Sequence, residues 1–241
     1  MPAVTVIIPA LNEAGNIRQL LHEVDSVAHA VSNRRYWGTN GVEVLIVDNG
    51  STDATAEEAI AAGARVVNEP RRGYGFACAA GVAAVQDSDV LVFMDGDGCF
   101  LPSDLPVLLS PILENRADMV LGSRERGYIE PGAMPSHQRF GNWLASRLMN
   151  LLYGLSITDL GPYRAIRRSL LLQLDMQEMT YGWPTEMIVK SARRGARIVE
   201  VPVSYRNRRF GQSKVGGTIR GTILAGWYIL GVTFRYAWKT N

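Results

Sequence analysis

Two aspartates separated by one glycine, Asp95 and Asp97, are the residues of this chain best suited to chemistry. The apolar segment at residues 90–94 favours a β-strand, so both carboxylates should lie at its carboxyl end, where open α/β sheets bind ligands. Two carboxylates this close repel each other unless a cation or a proton compensates. A hard divalent ion shared with substrate phosphates would do so. Taken alone, however, such a sequence is more often a solvated turn.

Polar residues also follow the first two predicted strands. Pro9, Asn12 and Glu13 come after the first of them, and Asn12 and Glu13 could bind a ligand or only cap and charge the next helix. Asp48 ends the second strand, and the neighbouring Ser51 is available to cap the following helix. Asp48 is therefore left without a structural role and could hold ribose hydroxyls or the N–H edge of a nucleobase.

A third polar segment precedes a helix of small residues. It contains Arg71, Arg72, Gly73 and Gly75, and glycines with arginine at a helix N-terminus suit a phosphate. The segment is neither a P-loop nor a GxGxxG fingerprint, so kinase-type and dinucleotide-type functions lack the residues they require.

Alternating strands and helices position these segments. We predict strands at residues 4–8, 42–47, 65–67, 90–94, 119–121 and 197–203, and helices at 16–30, 54–62, 76–85, 103–114, 141–152, 169–174 and 185–194. Short apolar runs that alternate with helical patterns indicate βαβ units and a mostly parallel sheet. The Gly- and Pro-containing residues 126–137 are predicted to form a mobile lid.

Composition narrows the class of protein. The formal net charge of +2, from 25 basic and 23 acidic residues, argues against bulk nucleic-acid binding. Two cysteines, Cys78 and Cys99, form no disulfide framework or zinc site and suit a reducing cytosol. The first strand is predicted within a few residues of the N-terminus, so no signal peptide is expected.

The last predicted segment, residues 218–238, is apolar and aromatic. Its uncharged part, residues 221–234, would span roughly 21 Å as a helix, which is too short for a hydrocarbon core of roughly 30 Å. Trp227, Tyr228, Tyr236 and Trp238 favour an interfacial or re-entrant segment. A helix packed on the core, or one that forms an oligomer, is the alternative.

Five ordered motifs, each at a predicted strand end, point to a known family. They are Pro9–Glu13, Asp48–Asp53, Arg72–Ala77, Asp95–Asp97 and Gly122–Arg124, and later matches include Arg139–Asn142, Thr158–Arg164, Trp183–Glu186 and Arg208–Lys214. Over roughly residues 3 to 215 the chain resembles the family 2 glycosyltransferases of the GT-A fold. Within that family it is most similar to the dolichol-phosphate mannosyltransferases and their bacterial polyprenyl-phosphate relatives, because of the closing Arg-x-x-Gly-x-Ser-Lys pattern.

The resemblance implies roles for the matched residues. The residues implied to bind the nucleotide sugar are Pro9, Glu13, Asp48, Arg72, Gly73, Asp95 and Arg124. Asp95 and Asp97 would hold Mg²⁺ or Mn²⁺, and the implied catalytic residues are Asp97, Arg139, Asp159 and Glu186. The residues implied to contact the acceptor or the diphosphate are Arg164, Arg208, Ser213 and Lys214. From the sequence alone, Asp159 could instead form a turn and Glu186 could charge the first turn of a helix.

The implied protein is a metal-dependent inverting glycosyltransferase with an α/β GT-A domain at residues 1–215 and an apolar helical tail at 216–241. It would move a hexose from GDP-mannose or UDP-glucose to an acceptor such as polyprenyl or dolichyl phosphate. It would be cytoplasmic and peripheral on the cytoplasmic membrane face through its tail, with no nucleic-acid partner and with a homo-oligomer left open. The alternative is a catalytically silent, membrane-associated scaffold, for which Cys99, near the metal aspartates, is the only support. A nucleotidyltransferase would need a Gly-rich N-terminal loop that this sequence lacks.

Overall fold

A computed structural model of the chain describes residues 3–32, 42–211 and 219–237. Seven strands form one sheet: β1 (Val4–Ala10), β2 (Val42–Asp48), β3 (Arg65–Asn68), β4 (Val90–Phe93), β5 (Met119–Ile129), β6 (Arg164–Arg167) and β7 (Ile198–Tyr205). Their order across the sheet is β3-β2-β1-β4-β6-β5-β7. Strand β6 runs antiparallel to β4 and β5, and the other strand pairs are parallel. The predicted mostly parallel α/β sheet is confirmed.

Eight helices surround the sheet in the described residues: α1 (Ile17–Ser32), α2 (Thr55–Ala61), α3 (Tyr74–Ala84), α4 (Leu105–Leu113), α5 (Ser136–Tyr153), α6 (Arg168–Gln173), α7 (Trp183–Arg193) and α8 (Ile219–Ala237). Helices α1 and α4 cover one face, and α3, α7 and α8 contribute to the apolar layer on the other. Strand β1 shows why both layers form, because Val6 and Ile8 belong to the first layer while Ile7 belongs to the second. Side chains alternate between the two faces of a strand, so a strand buried on both faces is apolar throughout.

The predicted lid is partly wrong. Residues 126–129 continue β5, where Tyr128 pairs with Ser204 and Ile129 with Tyr205 of β7. Gly127 permits this pairing, since a Cβ there would collide with the backbone of Val203. The glycine therefore allows close strand approach and does not mark a turn. Helix α5 then begins at Ser136, five residues before the predicted start.

Strand β6 was not predicted. It is four residues long and begins with Arg164, whose side chain is only 1% exposed. The Nη1 and Nη2 atoms of the guanidinium donate to the backbone carbonyls of Leu160, Gly161 and Pro184, whereas its buried Nε atom has no hydrogen-bond partner in the described structure.

The apolar C-terminal segment contains helix α8, which lies against α5 and α7. Its Val232 and Tyr236 are buried in the second apolar layer. Among the helices of the described residues, none combines the length and apolar character needed to cross a bilayer. The division of the chain at residue 215 stays a prediction.

Candidate active site

The carboxyl ends of β1, β2 and β4 meet at one edge of the sheet. Ala10 pairs with Asp48 across β1 and β2, and Ile7 pairs with Phe93 across β1 and β4. Asp95 follows two residues after Phe93. A Cβ on Gly96, between Asp95 and Asp97, would lie 3.3 Å from the carbonyl oxygen of Pro9, so the loop after β4 packs against the end of β1. The topology thus brings the predicted loops after β1, β2 and β4 to the same edge.

Asp95 is a carboxylate in need of positive charge. Within the described structure, its buried Oδ1 atom has no hydrogen-bond partner. Burial, followed by the negative charges of Asp97 and Glu13, raises its pKa to about 7, and this rise is opposed by a hydrogen bond from Tyr74 and by the charge of Arg124. A cation beside Asp95 would reverse the first two effects.

Asp97 and Glu13 face one arginine. The Nη2 atom of Arg208 lies 2.8 Å from Oε1 of Glu13 and 3.5 Å from Oδ2 of Asp97. The other oxygen of each carboxylate also has a partner: Oε2 of Glu13 accepts from Asn16, and Oδ1 of Asp97 accepts from the backbone N–H of Cys99. Loops from three distant parts of the chain therefore converge on these two carboxylates.

Asp48 is nearly buried and accepts the backbone N–H of Ser51 at Oδ1, at 3.0 Å. The residue after it, Asn49, was not among the predicted site residues. Its side chain donates to the carbonyls of Glu69 and Arg71 and accepts from the N–H of Gly73. Asn49 thereby fixes the loop before α3 against the end of β2. An Asn-Gly pair reads as a turn in sequence, and nothing in the pattern reveals this second function.

The two glycines of the predicted phosphate segment allow close backbone approach. A Cβ on Gly73 would lie 2.6 Å from the carbonyl oxygen of Met179, and one on Gly75 would collide with the backbone of Glu178 and Met179. The N–H of Phe76 also donates to the Met179 carbonyl, at 3.3 Å. Arg72 is exposed and donates to the carbonyl of Gly50. The segment is therefore held from both sides, with Arg72 at the surface.

Asp159 and Arg124 form a buried pair. Arg124 donates from Nε and Nη2 to the two carboxylate oxygens, at 2.8 and 2.7 Å, and its backbone N–H donates to the same group. The Asp159 side chain is fully buried and that of Arg124 is 12% exposed. Although burial opposes ionisation, the charge and hydrogen bonds of Arg124 keep the pKa of Asp159 below its usual value.

Glu186 is also buried and paired. It accepts backbone N–H groups of Gln177 and Glu178, the Lys190 ammonium at 2.8 Å and the Tyr236 hydroxyl at 2.6 Å. Burial opposes ionisation, but these donors lower the pKa of Glu186. In this position Glu186 joins α8 to α7 and to the loop that packs on Gly73 and Gly75.

The remaining predicted residues are dispersed. Arg139, in the first turn of α5, is largely exposed and pairs with Glu125 of β5 at 2.7 Å. Arg164 is inside the fold, where its direct contact with an acceptor stays a prediction. Ser213 and Lys214 lie outside the described residues. Cys99 is 4% exposed, and burial raises the pKa of its thiol, so it is a poor match for a metal thiolate.

The geometry limits how a metal would bind. In the described parts of the chain, no group of three or more His, Cys, Asp or Glu side chains is arranged to hold an ion. The unpaired oxygen of Asp95 and the nearby carboxylate of Asp97 nevertheless suit a hard divalent cation that takes its other ligands from a phosphorylated substrate. A parallel sheet with such a pair at its carboxyl edge fits enzymes that act on nucleoside diphosphates.

Comparison with known proteins gives the family. The profile of glycosyl transferase family 2 matches residues 5–174. The chain therefore belongs to glycosyl transferase family 2, and it is an enzyme of that class.

Among its relatives is an uncharacterized glycosyltransferase of Mycobacterium tuberculosis, 37% identical over 92% of this chain and 94% of that one. A dolichyl-phosphate hexose transferase of Haloferax volcanii is 36% identical over 87% and 85% of the two chains. An undecaprenyl-phosphate mannosyltransferase of Micrococcus luteus is 34% identical over 74% and 78%. The chain is thus similar to enzymes named for lipid-phosphate acceptors.

A solved structure with the same fold is glucosyl-3-phosphoglycerate synthase from Mycobacterium tuberculosis, crystallised with Mn²⁺, uridine diphosphate and phosphoglyceric acid. Its TM-score is 0.74 at 22% sequence identity, and the match covers 100% of this chain and 80% of that one. Another crystal of the same enzyme holds Mg²⁺ and uridine diphosphate. At this identity the likeness establishes the GT-A fold.

Proposed function

We propose that this protein transfers a hexose from a nucleoside diphosphate sugar to a polyprenyl phosphate at a membrane surface, with Mg²⁺ or Mn²⁺ as cofactor. The observation that carries the proposal is the convergence of Glu13, Asp48, Asp95 and Asp97 at one sheet edge in a chain whose relatives are named for lipid-phosphate acceptors. GDP-mannose and UDP-glucose stay the two candidate donors.

The proposed reaction is a single displacement. An oxygen of the acceptor phosphate attacks the anomeric carbon from the side opposite the nucleoside diphosphate. The bond from that carbon to the diphosphate oxygen breaks, and the nucleoside diphosphate leaves with the electron pair, so the configuration inverts. The main task of the protein is to stabilise charge on the leaving group.

The chain's own residues divide this task. Asp48 holds the nucleoside, while Arg72 and the segment beginning at Gly73 face its phosphates. Asp95 and Asp97 would hold the divalent ion, which when bound withdraws negative charge from the departing diphosphate. Arg124 lies near enough to Asp95 to lower its pKa and so contributes positive charge to the same region.

The state of two buried carboxylates favours an acceptor that is already ionised. A hydroxyl acceptor needs a general base, and Asp159 and Glu186 were the sequence candidates. Both are occupied by cationic donors that lower their pKa values, which makes them weak proton acceptors. A lipid phosphate arrives without a proton to remove, so we assign both carboxylates positioning roles: Asp159 orients Arg124, and Glu186 fixes the loop behind Gly75.

Helix α5 offers a surface for lipid. Phe140, Trp143, Leu144 and Leu151 are 63%, 51%, 38% and 81% exposed, and their spacing places them on one helical face. Arg147 lies with its guanidinium carbon 5.9 Å from the Trp143 ring centroid, and the helix contains no acidic residue. Aromatic and aliphatic side chains beside arginine are typical of helices that lie in the plane of a bilayer interface. Trp227 of the adjacent α8 is 76% exposed and could extend this surface.

The transfer is tested with radiolabelled donors. Purified protein is incubated with polyprenyl phosphate and either GDP-mannose or UDP-glucose, with Mn²⁺ or with EDTA, and label is counted in the organic extract. We expect lipid-bound label from one donor, dependence on the metal and loss with Asp97→Asn. Asp118→Asn is the matched control, because it changes a carboxylate directly before β5, away from the candidate site. This variant should stay active. Full transfer in EDTA, or label that never enters the lipid fraction, would contradict the proposal.

The membrane surface is tested by flotation with anionic vesicles. We expect the double substitution Trp143→Ser and Leu151→Ser to reduce the bound fraction several-fold. Ile60→Ser with Leu172→Ser removes the same number of exposed apolar side chains, 63% and 54% exposed, from α2 and α6 and should leave flotation unchanged. Point variants are preferable to removing α8, because that helix also buries Val232 and Tyr236. Equal flotation of the two double variants would contradict a role of α5 in membrane binding.

A further inference from the structure

The residues after β7 cross the candidate site. The side chain of Arg206 donates to the carbonyl of Gly98, at 2.6 Å, and to Glu23 of α1, at 2.9 Å. Four residues further on, the backbone of Phe210 exchanges hydrogen bonds with the side chain of Asn16. Residues 206–210 therefore bridge the loop after β4 and the start of α1, and we call them the crossing segment.

Arg208 is in the middle of the crossing segment, and its side chain is 14% exposed. One nitrogen, Nη2, approaches both Glu13 and Asp97. The charge of Arg208 therefore acts on carboxylates from the ends of two strands. Asp95, the third acidic group, is separated from Asp97 by a single glycine.

The charges around Arg208 indicate that it and a divalent ion compete for the same carboxylates. Glu13, Asp95 and Asp97 would carry three negative charges when ionised, and Arg208, in contact with Glu13 and Asp97, carries one positive charge. A divalent ion bound to Asp97 would need the carboxylate face that the guanidinium takes, and two cations this close would repel. An arginine cannot lose its proton to relieve such a conflict, so it must move.

We propose that Arg208 is a built-in competitor of the divalent ion: its guanidinium holds Glu13 and Asp97 until metal and donor arrive together, and it then turns to the donor diphosphate. This inference rests on the proposed function, since it assumes that Asp97 binds a metal. It assigns Arg208 a positioning role that couples metal binding to donor binding. The metal alone binds weakly because it must displace the arginine, whereas the metal with a diphosphate gives the displaced arginine a new anionic partner.

The test measures Mn²⁺ binding directly, by the electron paramagnetic resonance signal of free Mn²⁺. Each protein is titrated alone and with the nucleoside diphosphate of the active donor. Without nucleotide, we expect Arg208→Gln to bind Mn²⁺ roughly tenfold more tightly than the wild type, equivalent to about 1.4 kcal/mol. With nucleotide, the gain should shrink or reverse, because the variant has lost its contact with the diphosphate.

Arg209→Gln is the matched control. It removes the same charge from the next residue, whose side chain is 46% exposed and lies 3.9 Å from Glu23, away from Glu13 and Asp97. Its Mn²⁺ affinity should stay within about twofold of the wild type, since an exposed charge has little effect. If Arg208→Gln is no tighter than Arg209→Gln without nucleotide, the competition is refuted. Should Arg208→Gln fail to fold, Arg208→Met replaces it, since it also removes the charge but keeps an unbranched side chain, and an affinity no higher than that of the wild type refutes the proposal equally.

The two proposals can fail separately. If the wild type binds Mn²⁺ with nucleotide through Asp97 but the Arg208 variants match it without nucleotide, only the competition is wrong. If no protein binds Mn²⁺ under either condition, or if Asp97→Asn binds as well as the wild type, the metal site itself is wrong and the competition falls with it.

Discussion

Replacing Asp159 by asparagine tests how strongly the fold depends on the buried Arg124 pair. The substitution keeps the size of the side chain but leaves the guanidinium of Arg124 without its counter-charge. That guanidinium is 12% exposed and its carboxylate partner is fully buried, so water cannot replace the lost interaction. Removing one partner of a buried pair typically destabilises a protein by about 3–5 kcal/mol.

The magnitude can be followed by thermal unfolding. For a chain of this length each kcal/mol shifts the melting temperature by about 2–4 °C, so Asp159→Asn should lower it by about 6–20 °C. Asp118 is the comparison, because it also binds an arginine through both oxygens but its pair with Arg197 is half-exposed, at 25% and 49%. Asp118→Asn should therefore lose about 1 kcal/mol or less.

A similar loss of stability in the two variants would refute this reasoning, since it would show that burial does not set the strength of these pairs. A further check is the double variant Arg124→Met with Asp159→Leu, which removes both charges. It should recover part of the stability that Asp159→Asn loses, because no buried charge is left unpaired.

Four other predictions concern Asp95, Gly75 and Tyr236. Because the pKa of Asp95 is raised to about 7, a proton competes with the ion, so Mn²⁺ affinity measured by calorimetry should fall as the pH is lowered through 7. This pKa lies above the usual value of 3.8, so the folded protein binds the proton of Asp95 more tightly than the unfolded chain does. Without metal, the protein should therefore become more stable to urea as the pH falls from 7 toward 4. Opposite trends would contradict the raised pKa. Gly75→Ala should weaken nucleotide binding in a thermal-shift titration, because its Cβ would lie 2.5 Å from the backbone of Met179. Gly141→Ala is the control, because its Cβ would have no other atom within 4 Å. It should leave nucleotide binding unchanged and add about 0.5–1 kcal/mol to helix stability. Tyr236→Phe should destabilise the fold by about 1.5–3 kcal/mol in urea unfolding, since Glu186 loses a buried donor, and an unchanged midpoint would show that this hydrogen bond does not stabilise the fold.

The half of the sheet that carries the candidate donor site could be predicted from the sequence. Strands β1 and β4 and the second half of β2 are buried, so their sequences are almost entirely apolar up to Pro9, Asp48 and Asp95. Because these strands are parallel neighbours, their ends had to meet at one edge. The positions of these apolar segments were therefore enough to predict that the acidic residues after them lie close together.

The other half depends on contacts that only the folded chain creates. Strand β6 contains a buried Arg164 that is acceptable because carbonyl oxygens from residues 160, 161 and 184 surround it. Gly127 reads as a turn residue until β7 lies beside it. No local pattern shows that Asn49 holds the loop before α3, or that Arg208 reaches Glu13 across almost the whole length of the chain.

A divalent ion that joins Asp95 and Asp97 to the diphosphate of a nucleotide sugar is the central element of the proposed function. Its most direct test is a crystal grown with Mn²⁺ and the nucleoside diphosphate of the active donor, with data collected at the manganese absorption edge. We expect one anomalous peak in contact with Asp97 and with diphosphate oxygens, beside the Oδ1 atom of Asp95, and Arg208 turned away from Glu13. An ordered nucleotide at this sheet edge without such a peak, or a peak bound elsewhere, would contradict the account.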